Sequence, residues 1–369
     1  MSPRHKLTQR VATFIQDESK GTREEFNALA LEVFAFQYEN IPVVQELASA
    51  AGRSPENIRD WREIPAVPTA AFKHVKLFAG DESEIAHTFQ SSGTSGAKKS
   101  ASHFSEEGLA LMDEAIYANA SEMLLNDGRA TRILVLAPSP KMVPTMIMAY
   151  GMQRLIEAYG LPGSGFFISP EGFESKALMA SMFEAAEKDI PITLIGASFA
   201  FVHLMDQLSE KRVQLVCAPG SRTMDAGGFK DRSRVVDRQA MDAMIHERFA
   251  IPAHRNVNLL GMTELASQFY DNVLARGSAE KRHKTNSHWT RTRVLDPQEL
   301  KEVQEGAGIL QHLDLANVER PMVIRTEDVG EAHDGAWTVH GRLAEAEAKG
   351  CSLTVADLVR EQPPSEGSL

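Results

Sequence analysis

The sequence predicts an α/β protein: a large domain of mostly parallel sheet flanked by helices, followed by a small β-rich part. Three observations carry that prediction. Between residues 132 and 260, short apolar runs of strand length alternate with longer segments of helical periodicity. Such alternation implies parallel strands with helices packed on the sheet faces. Beyond about His283 the pattern changes to short strand-like runs separated by turns. Hydrophobic residues make up 43% of the 369 positions, enough to bury the core of two domains, or of one large domain with an appendage.

The elements follow in order. Thr8 to Asp17 and Thr22 to Tyr38 space apolar residues three and four apart, which predicts two helices, with Ala28, Val33 and Phe34 on one face. Ile64-Pro65-Ala66-Val67-Pro68 interrupts helicity and leads to Phe72-Lys73. Ala86 to Gln90 predicts a strand. Ser105 to Leu125 predicts a helix, capped by Ser105 with Glu106 and Glu107 in its first turn. Arg132 to Leu136, Ile192 to Gly196, Arg212 to Val216 and Val257 to Leu260 read as buried strands. Lys141 to Tyr159, Ala200 to Ser209 and Met241 to Phe249 read as the helices between them. Arg291 to Leu295, Gly308 to Leu313, Met322 to Arg325 and Trp337 to His340 are the short strands of the last part. The expected division is residues 1–282 for the α/β core, 283–345 for the β-rich subdomain and 346–369 for a short tail. The composition of Gln362 to Ser368 predicts disorder there.

Charge narrows the function classes. Thirty-nine basic residues against 50 acidic ones give a formal net charge of −11 and a pI of about 5.6. That argues against broad nucleic-acid or anionic-membrane binding. The longest apolar segment, Pro191 to Met205, is too short to span a bilayer and contains His203. Met1 to Lys20 has no apolar secretory region. Two cysteines, Cys217 and Cys351, cannot build a disulfide framework. The expectation is a soluble cytoplasmic protein with neither a nucleic-acid nor a membrane partner.

Chemistry concentrates first at Ser91-Ser92-Gly93-Thr94-Ser95-Gly96-Ala97-Lys98-Lys99-Ser100. Glycines let main-chain N–H groups turn inward, hydroxyls add donors and a lysine neutralises charge, so the segment suits a phosphate chain. Taken alone it equally describes a flexible surface loop. Lys98 stands where a Walker A motif counted from Gly93 would need its second glycine, so the loop is not of that type. Gly261-Met262-Thr263-Glu264 follows a predicted strand; a hydroxyl for a phosphate and a carboxylate for a hard cation is one reading, a capped helix start the other. Thr326-Glu327-Asp328-Val329-Gly330 and Gly341-Arg342 come later and read alone as a polar turn and a surface cation.

In order and character these four segments resemble the signatures of the adenylate-forming superfamily, which includes the acyl-CoA synthetases. The resemblance implies ATP and Mg²⁺. It casts Ser91 to Gly96 and Lys98 as the phosphate loop and Gly261 and Met262 as nucleotide contacts. Thr263 would meet the α-phosphate, Glu264 the Mg²⁺, and Asp328 and Arg342 the ribose hydroxyls. Gly227 and Gly228 fall where that superfamily places its adenine loop. Pro65-x-x-Pro68 with Phe72-Lys73, Gly227-Gly228-Phe229-Lys230, Asp314-Leu315-Ala316-Asn317, Thr326-Glu327-Asp328 and Ala346 to Leu353 together resemble the acyl-protein synthetases of the bacterial luminescence fatty-acid reductase. In that family a cysteine near the C-terminus accepts the acyl group as a thioester, which casts Cys351 in that role; a small packed residue is the other reading. Cys217 ends a predicted strand and reads as core. In length and pattern the chain also resembles adenylating proteins of phenazine antibiotic pathways.

The resemblance implies activation of a carboxylic acid, a phenazine-type carboxylate first and a fatty acid second, with an acyl reductase and a second copy of the chain as partner expectations. The acid is expected near Ala197, Ser198, Phe199, Phe201 and His203, with Pro138 to Met142 as another wall; packing into a helix seam is the other reading of the aromatics. Six methionines between Met142 and Met182 suit either an adaptable pocket or a core. Leu343-Ala344, not an acid, follows Arg342, and the sequence ends at Leu369. The mobile C-terminal domain of ordinary superfamily members, with its late lysine, is therefore expected to be absent. Adenylation would then be slower unless Lys98, Lys99 or a partner stands in. Two other readings stay open: a module that holds an acid or acyl adenylate without turnover, and a coenzyme A ligase that needs a partner.

Overall fold

A computed structural model describes residues 2–17, 21–91, 98–227 and 233–342. Nine helices lie among these residues: α1 Pro3–Gln16, α2 Arg23–Asn40, α3 Pro42–Ala50, α4 Glu106–Met123, α5 Ile147–Tyr159, α6 Ser175–Glu187, α7 Ser198–Glu210, α8 Arg238–Phe249 and α9 Val273–Arg276. The strands are β1 Val67–Pro68, β2 His87–Gln90, β3 Ala101–Phe104, β4 Arg132–Pro138, β5 Gly165–Ser169, β6 Gly172–Phe173, β7 Ile192–Ala197 and β8 Arg222–Ala226. They continue with β9 Asn256–Leu260, β10 Phe269–Tyr270, β11 Lys284–Thr285, β12 Thr290–Leu295, β13 Ala307–Asp314, β14 Val323–His333 and β15 Ala336–Arg342. The α/β class is as expected.

Contacts divide the chain into two compact units. One comprises Met1–Glu114, Thr263–Ala266 and Asn286–Leu369, the other Ala115–Met262 and Ser267–Thr285. Contacts thus group the β-rich strands β12 to β15 with the N-terminal helices.

In the first unit, β12, β13, β14 and β15 form an antiparallel meander, and β1 pairs with β14 in parallel, Val67 opposite Ile324. β2 and β3 form a separate hairpin. Helix α2 starts where Thr22 accepts from Glu25 N, with Glu24 and Glu25 in its first turn, and it buries Phe26, Leu29, Val33 and Phe34. The expected cap of α4 is in place: Ser105 Oγ accepts from Gly108 N at 3.1 Å. That same oxygen donates to Glu319 Oε2 at 2.6 Å, and Gly108 leaves room for the carboxylate, which a Cβ there would strike.

The second unit is a seven-stranded sheet in the order β10-β9-β8-β7-β4-β5-β6. The five inner strands are parallel, and β6 and β10 close the edges antiparallel. Strands β4 and β7 are buried apolar runs, as predicted. The chain goes from β4 to β5 on one side, then returns to lay β7 on the other side of β4. The direction of winding therefore switches between β4 and β7. Gly196 faces Leu136 across that seam, and a Cβ at Gly196 would lie 2.8 Å from Leu136 Cβ.

Two expected elements are corrected. Arg212 to Val216 is not a strand; Leu215 N and Cys217 N donate instead to the carbonyls of Arg248 and Phe249 at the end of α8. The sheet uses Arg222–Ala226, which is buried despite its charges because Arg222 Nη1 donates to Leu124 O and Nη2 to Asp127 Oδ2 at 2.6 and 2.7 Å. The helix expected from Lys141 begins only at Ile147. Pro144 cannot donate to a helical ladder, and residues 139–146 form turns, with Met142 N bonded to Ser139 O. Among the described residues no helix is long and apolar enough to cross a membrane.

Candidate functional site

In the first unit the glycine-rich segment is anchored at both ends. Gln90 pairs with Ala101 in the β2–β3 hairpin. Ser91 N donates to Ser100 O, and Ser100 N donates to Ser91 Oγ, each at 3.0 Å. Lys98 and Lys99 lead into β3 with exposed side chains. Ser92, Gly93, Thr94, Ser95, Gly96 and Ala97 lie outside the described residues.

Thr263 and Glu264 sit in an irregular turn, so no helix begins at Thr263 and the helix-cap reading falls. Both are buried, each 7% exposed. Burial pushes the Glu264 carboxyl above the ordinary carboxylate range. A hydrogen bond with the Ser100 side chain and the charges of Arg342 and Lys73 pull the other way. One group at the end of the glycine-rich segment therefore touches the second motif, in a field that includes the fourth.

The third and fourth motifs meet in register. Asp328 on β14 stands opposite Arg342 on β15, and Arg342 Nε donates to Asp328 Oδ1 at 3.2 Å. Asp328 N donates to Thr326 Oγ1 at 3.0 Å, and Thr326 Oγ1 donates to Leu310 O at 2.9 Å. Burial raises the Asp328 carboxyl and Arg342 opposes that. The Asp328 side chain is 13% exposed, that of Arg342 75%.

The second unit collects its motif residues at the C-terminal ends of the parallel strands, the side where open α/β sheets bind ligands at a switch point. Pro138 and Ser139 end β4, Ala197 and Ser198 end β7, Gly227 follows β8, and Gly261 with Met262 follows β9. Ser198 Oγ lies 2.7 Å from Asp225 Oδ2 and 2.8 Å from Gly227 O, two acceptors for a single hydroxyl proton. Gly227 has a φ of +73°, a left-handed conformation that glycine adopts freely. At Gly261 a Cβ would stand 3.3 Å from Met148 Sδ.

Helix α7 divides the expected acid-binding set. Phe199 and His203, four apart, share a face and meet edge to face with ring centroids 6.4 Å apart. His203 is exposed, whereas Phe201, two residues from each, is fully buried in the core of the unit. The methionines divide similarly: Met152 and Met182 are core, and Met142 is 38% exposed.

Sequence reasoning missed a buried charge network behind the sheet edge. Arg238 Nη1 donates to Asp225 Oδ1, and Arg282 donates to Asp271 Oδ2 at 2.6 Å and Asp242 Oδ2 at 2.7 Å. Lys284 Nζ donates to Asn258 O and Oδ1 at 2.6 and 2.7 Å, and Asn258 Nδ2 donates to Asp225 Oδ2 at 3.2 Å. Burial brings the Lys284 amine down to about 8 against the pull of Asp271 and Asp225. The available signal was an aspartate inside a short strand, which burial tolerates only when paired. Gly228 and Cys351 lie outside the described residues. Cys217 is half-buried and burial pushes its thiol up to about 12, which suits the packing role expected of it. Among the described residues no three His, Cys, Asp or Glu side chains gather as a metal-binding group.

The family described as acyl-protein synthetase, LuxE, matches residues 24–359. The long-chain-fatty-acid–luciferin-component ligase of Aliivibrio fischeri is 24% identical over 366 residues, spanning 94% of this chain and 90% of that protein. The ligase of the same name from Vibrio harveyi is 24% identical over 338 residues, spanning 88% and 85%. Among solved structures, 2-hydroxyisobutyryl-CoA ligase in its postadenylation state, with 2-HIB-AMP, superposes with a TM-score of 0.60 at 14% identity. That match covers 86% of this chain and 68% of the ligase, and it is a likeness of fold.

Proposed function

The chain belongs to the acyl-protein synthetase family, LuxE, and we propose that it activates a carboxylic acid with ATP as an acyl adenylate and passes the acyl group on as a thioester. The observation that carries this reading is that the buried Glu264 carboxyl is hydrogen-bonded by the Ser100 side chain and feels the charge of Arg342, so residues of three motifs far apart in sequence act on one group. In the proposed reaction a carboxylate oxygen attacks the α-phosphorus of ATP. The new O–P bond forms as the bond to the β-phosphate breaks, and pyrophosphate leaves.

Each residue then has a task. The segment from Ser91 to Gly96, with Lys98 and Lys99, holds the β- and γ-phosphates. Thr263 donates to the α-phosphate. Asp328 accepts from the ribose hydroxyls, and Arg342 orients Asp328 while reaching the same sugar. Gly227 and Gly228 with Gly261 and Met262 line the adenine. Glu264 suits Mg²⁺: a magnesium site takes one or two carboxylates and fills its sphere with phosphate oxygens and water. Its raised carboxyl is costly to ionise where it lies, and a cation favours the charged form. When bound, Mg²⁺ would neutralise charge on the phosphates.

In this reading the acid binds at the switch point, against Ala197, Ser198, Phe199 and His203. The names of the curated relatives suggest a long-chain fatty acid; likeness in length and pattern suggests a phenazine-type carboxylate. A thiolate would then attack the adenylate carbonyl, forming C–S, breaking C–O and releasing AMP, with the thiol proton lost to solvent. Cys351 takes this role, as the resemblance to the luminescence family implies, while burial raises the Cys217 thiol. Incubation with ATP and labelled acids of both classes tests the reading. Wild-type protein is expected to take up a hydroxylamine-labile label from one class, and Cys351→Ser to take up none. Label surviving that substitution would remove Cys351 as acceptor.

A further inference from the structure

Glu264 occupies a segment that cannot hold itself. Thr263, Glu264, Leu265 and Ala266 are buried yet form neither helix nor strand. Buried backbone outside a ladder must find its hydrogen bonds elsewhere. Two of them are made by one side chain, Asn317, which is fully buried. Asn317 Nδ2 donates to Glu264 O at 2.8 Å and to Pro321 O at 3.0 Å. Asn317 Oδ1 accepts from Ala266 N at 3.0 Å and from Arg320 Nη2 at 2.8 Å. All four hydrogen-bonding positions of the amide are used. Two of them grip the consecutive peptide groups on either side of Leu265, the first of which carries the Glu264 carbonyl.

The orientation of that amide is determined. A guanidinium only donates, so the atom facing Arg320 must be the oxygen, and the nitrogen must face Glu264 O. Arg320 is itself fixed, buried with its guanidinium 3.5 Å from the centroid of the Phe104 ring. Gln37 on α2 holds the loop carrying both: the two N–H groups of its Nε2 are shared among the carbonyls of Asn317, Val318 and Arg320, and its Oε1 accepts from Met322 N at 3.1 Å.

We propose that Asn317 is the positioning residue of the metal–phosphate end of the site, fixing the backbone that follows Glu264, at its carbonyl and at Ala266 N, so that its carboxylate meets Ser100 and the cation. The proposal rests on the reading of Glu264 as the Mg²⁺ carboxylate. Metal sites commonly lose roughly 10- to 100-fold in affinity when such a supporting residue is changed.

The test uses the full chain with ATP and no acid. Calorimetry measures ATP binding against Mg²⁺ concentration and in EDTA, beside the unfolding temperature, for wild type, Glu264→Gln, Asn317→Asp and the uncharged Asn317→Ser. The expected result is that Asn317→Ser or Asn317→Asp raises the Mg²⁺ concentration for half-maximal ATP binding by about tenfold or more. Metal-free ATP binding should stay within about twofold of wild type, a split that a loss of folded protein would not produce. An unchanged Mg²⁺ requirement in both Asn317 variants, with Glu264→Gln shifted, overturns the proposal alone. An unchanged requirement in Glu264→Gln overturns the reading of Glu264 and the proposal with it. Unfolding of both Asn317 variants makes Asn317 structural and also overturns it.

Discussion

At the scale of single residues, Glu264 is the group on which the proposed chemistry depends. Its carboxyl is pushed up by burial and partly brought back by Ser100, Arg342 and Lys73, so neutralising it in place relieves desolvation while removing the proposed ligand of the cation. Glu264→Gln is therefore expected to keep or slightly raise the unfolding temperature while lowering acid-dependent adenylation by about 10²-fold or more, a magnitude ordinary for losing one electrostatic contact to a transition state. Thermal melts and initial rates on the same preparation check both halves. A fall in stability matching the fall in rate would assign Glu264 to the scaffold. Glu264 and Thr263 were legible in the sequence because a short motif names its own residues. Asn317 was visible only as part of a family-like string. Its task depends on a contact with a residue 53 positions away, which no local pattern encodes. The pairing of Asp328 with Arg342 was hidden for the same reason, since register across β14 and β15 is a tertiary fact.

Elements were read well where burial and apolarity coincide. β4, β7 and β9 fell where apolar runs placed them. β8 did not, because a strand reading Arg-Thr-Met-Asp-Ala is recognisable only once Asp127, Arg238 and Ser198 are known to pair its charges. The nearby apolar run Arg212 to Val216 misled for the complementary reason, its backbone being taken up by the end of α8. β13 carries a related feature. His312 is fully buried, with Nδ1 2.9 Å from Thr292 Oγ1 on β12, and burial pulls its imidazole down to about 3. An unfolded histidine titrates near 6.5. Below that pH the unfolded chain binds a proton that the folded chain refuses. Stability tied to His312 is thus complete above about pH 6.5 and falls as pH drops toward 3, by up to ~1.4 kcal/mol per pH unit. Denaturant titrations between pH 7 and pH 4 should show that slope in wild type and a shallower one in His312→Gln. Equal slopes would remove His312 as its source.

At the scale of the molecule, the candidate site residues fall in two compact units. The first holds the anchored ends of the glycine-rich segment, Thr263, Glu264, Asp328 and Arg342; the second holds the sheet edge with Ser198, Gly227 and Gly261. Composition and alternation foretold the α/β class and the β-rich close. They could not show that the N-terminal helices pack with that β-rich part, because contact between distant segments leaves no mark on local periodicity. The central claim, that these residues form an acyl adenylate, does not depend on the acceptor of the acyl group. It is tested most directly by exchange of labelled pyrophosphate into ATP. The expected result is exchange that requires both Mg²⁺ and a carboxylic acid of one of the two proposed classes, and that is lost in Glu264→Gln. No acid-dependent exchange across fatty and aromatic acids, in protein that binds ATP, would contradict it.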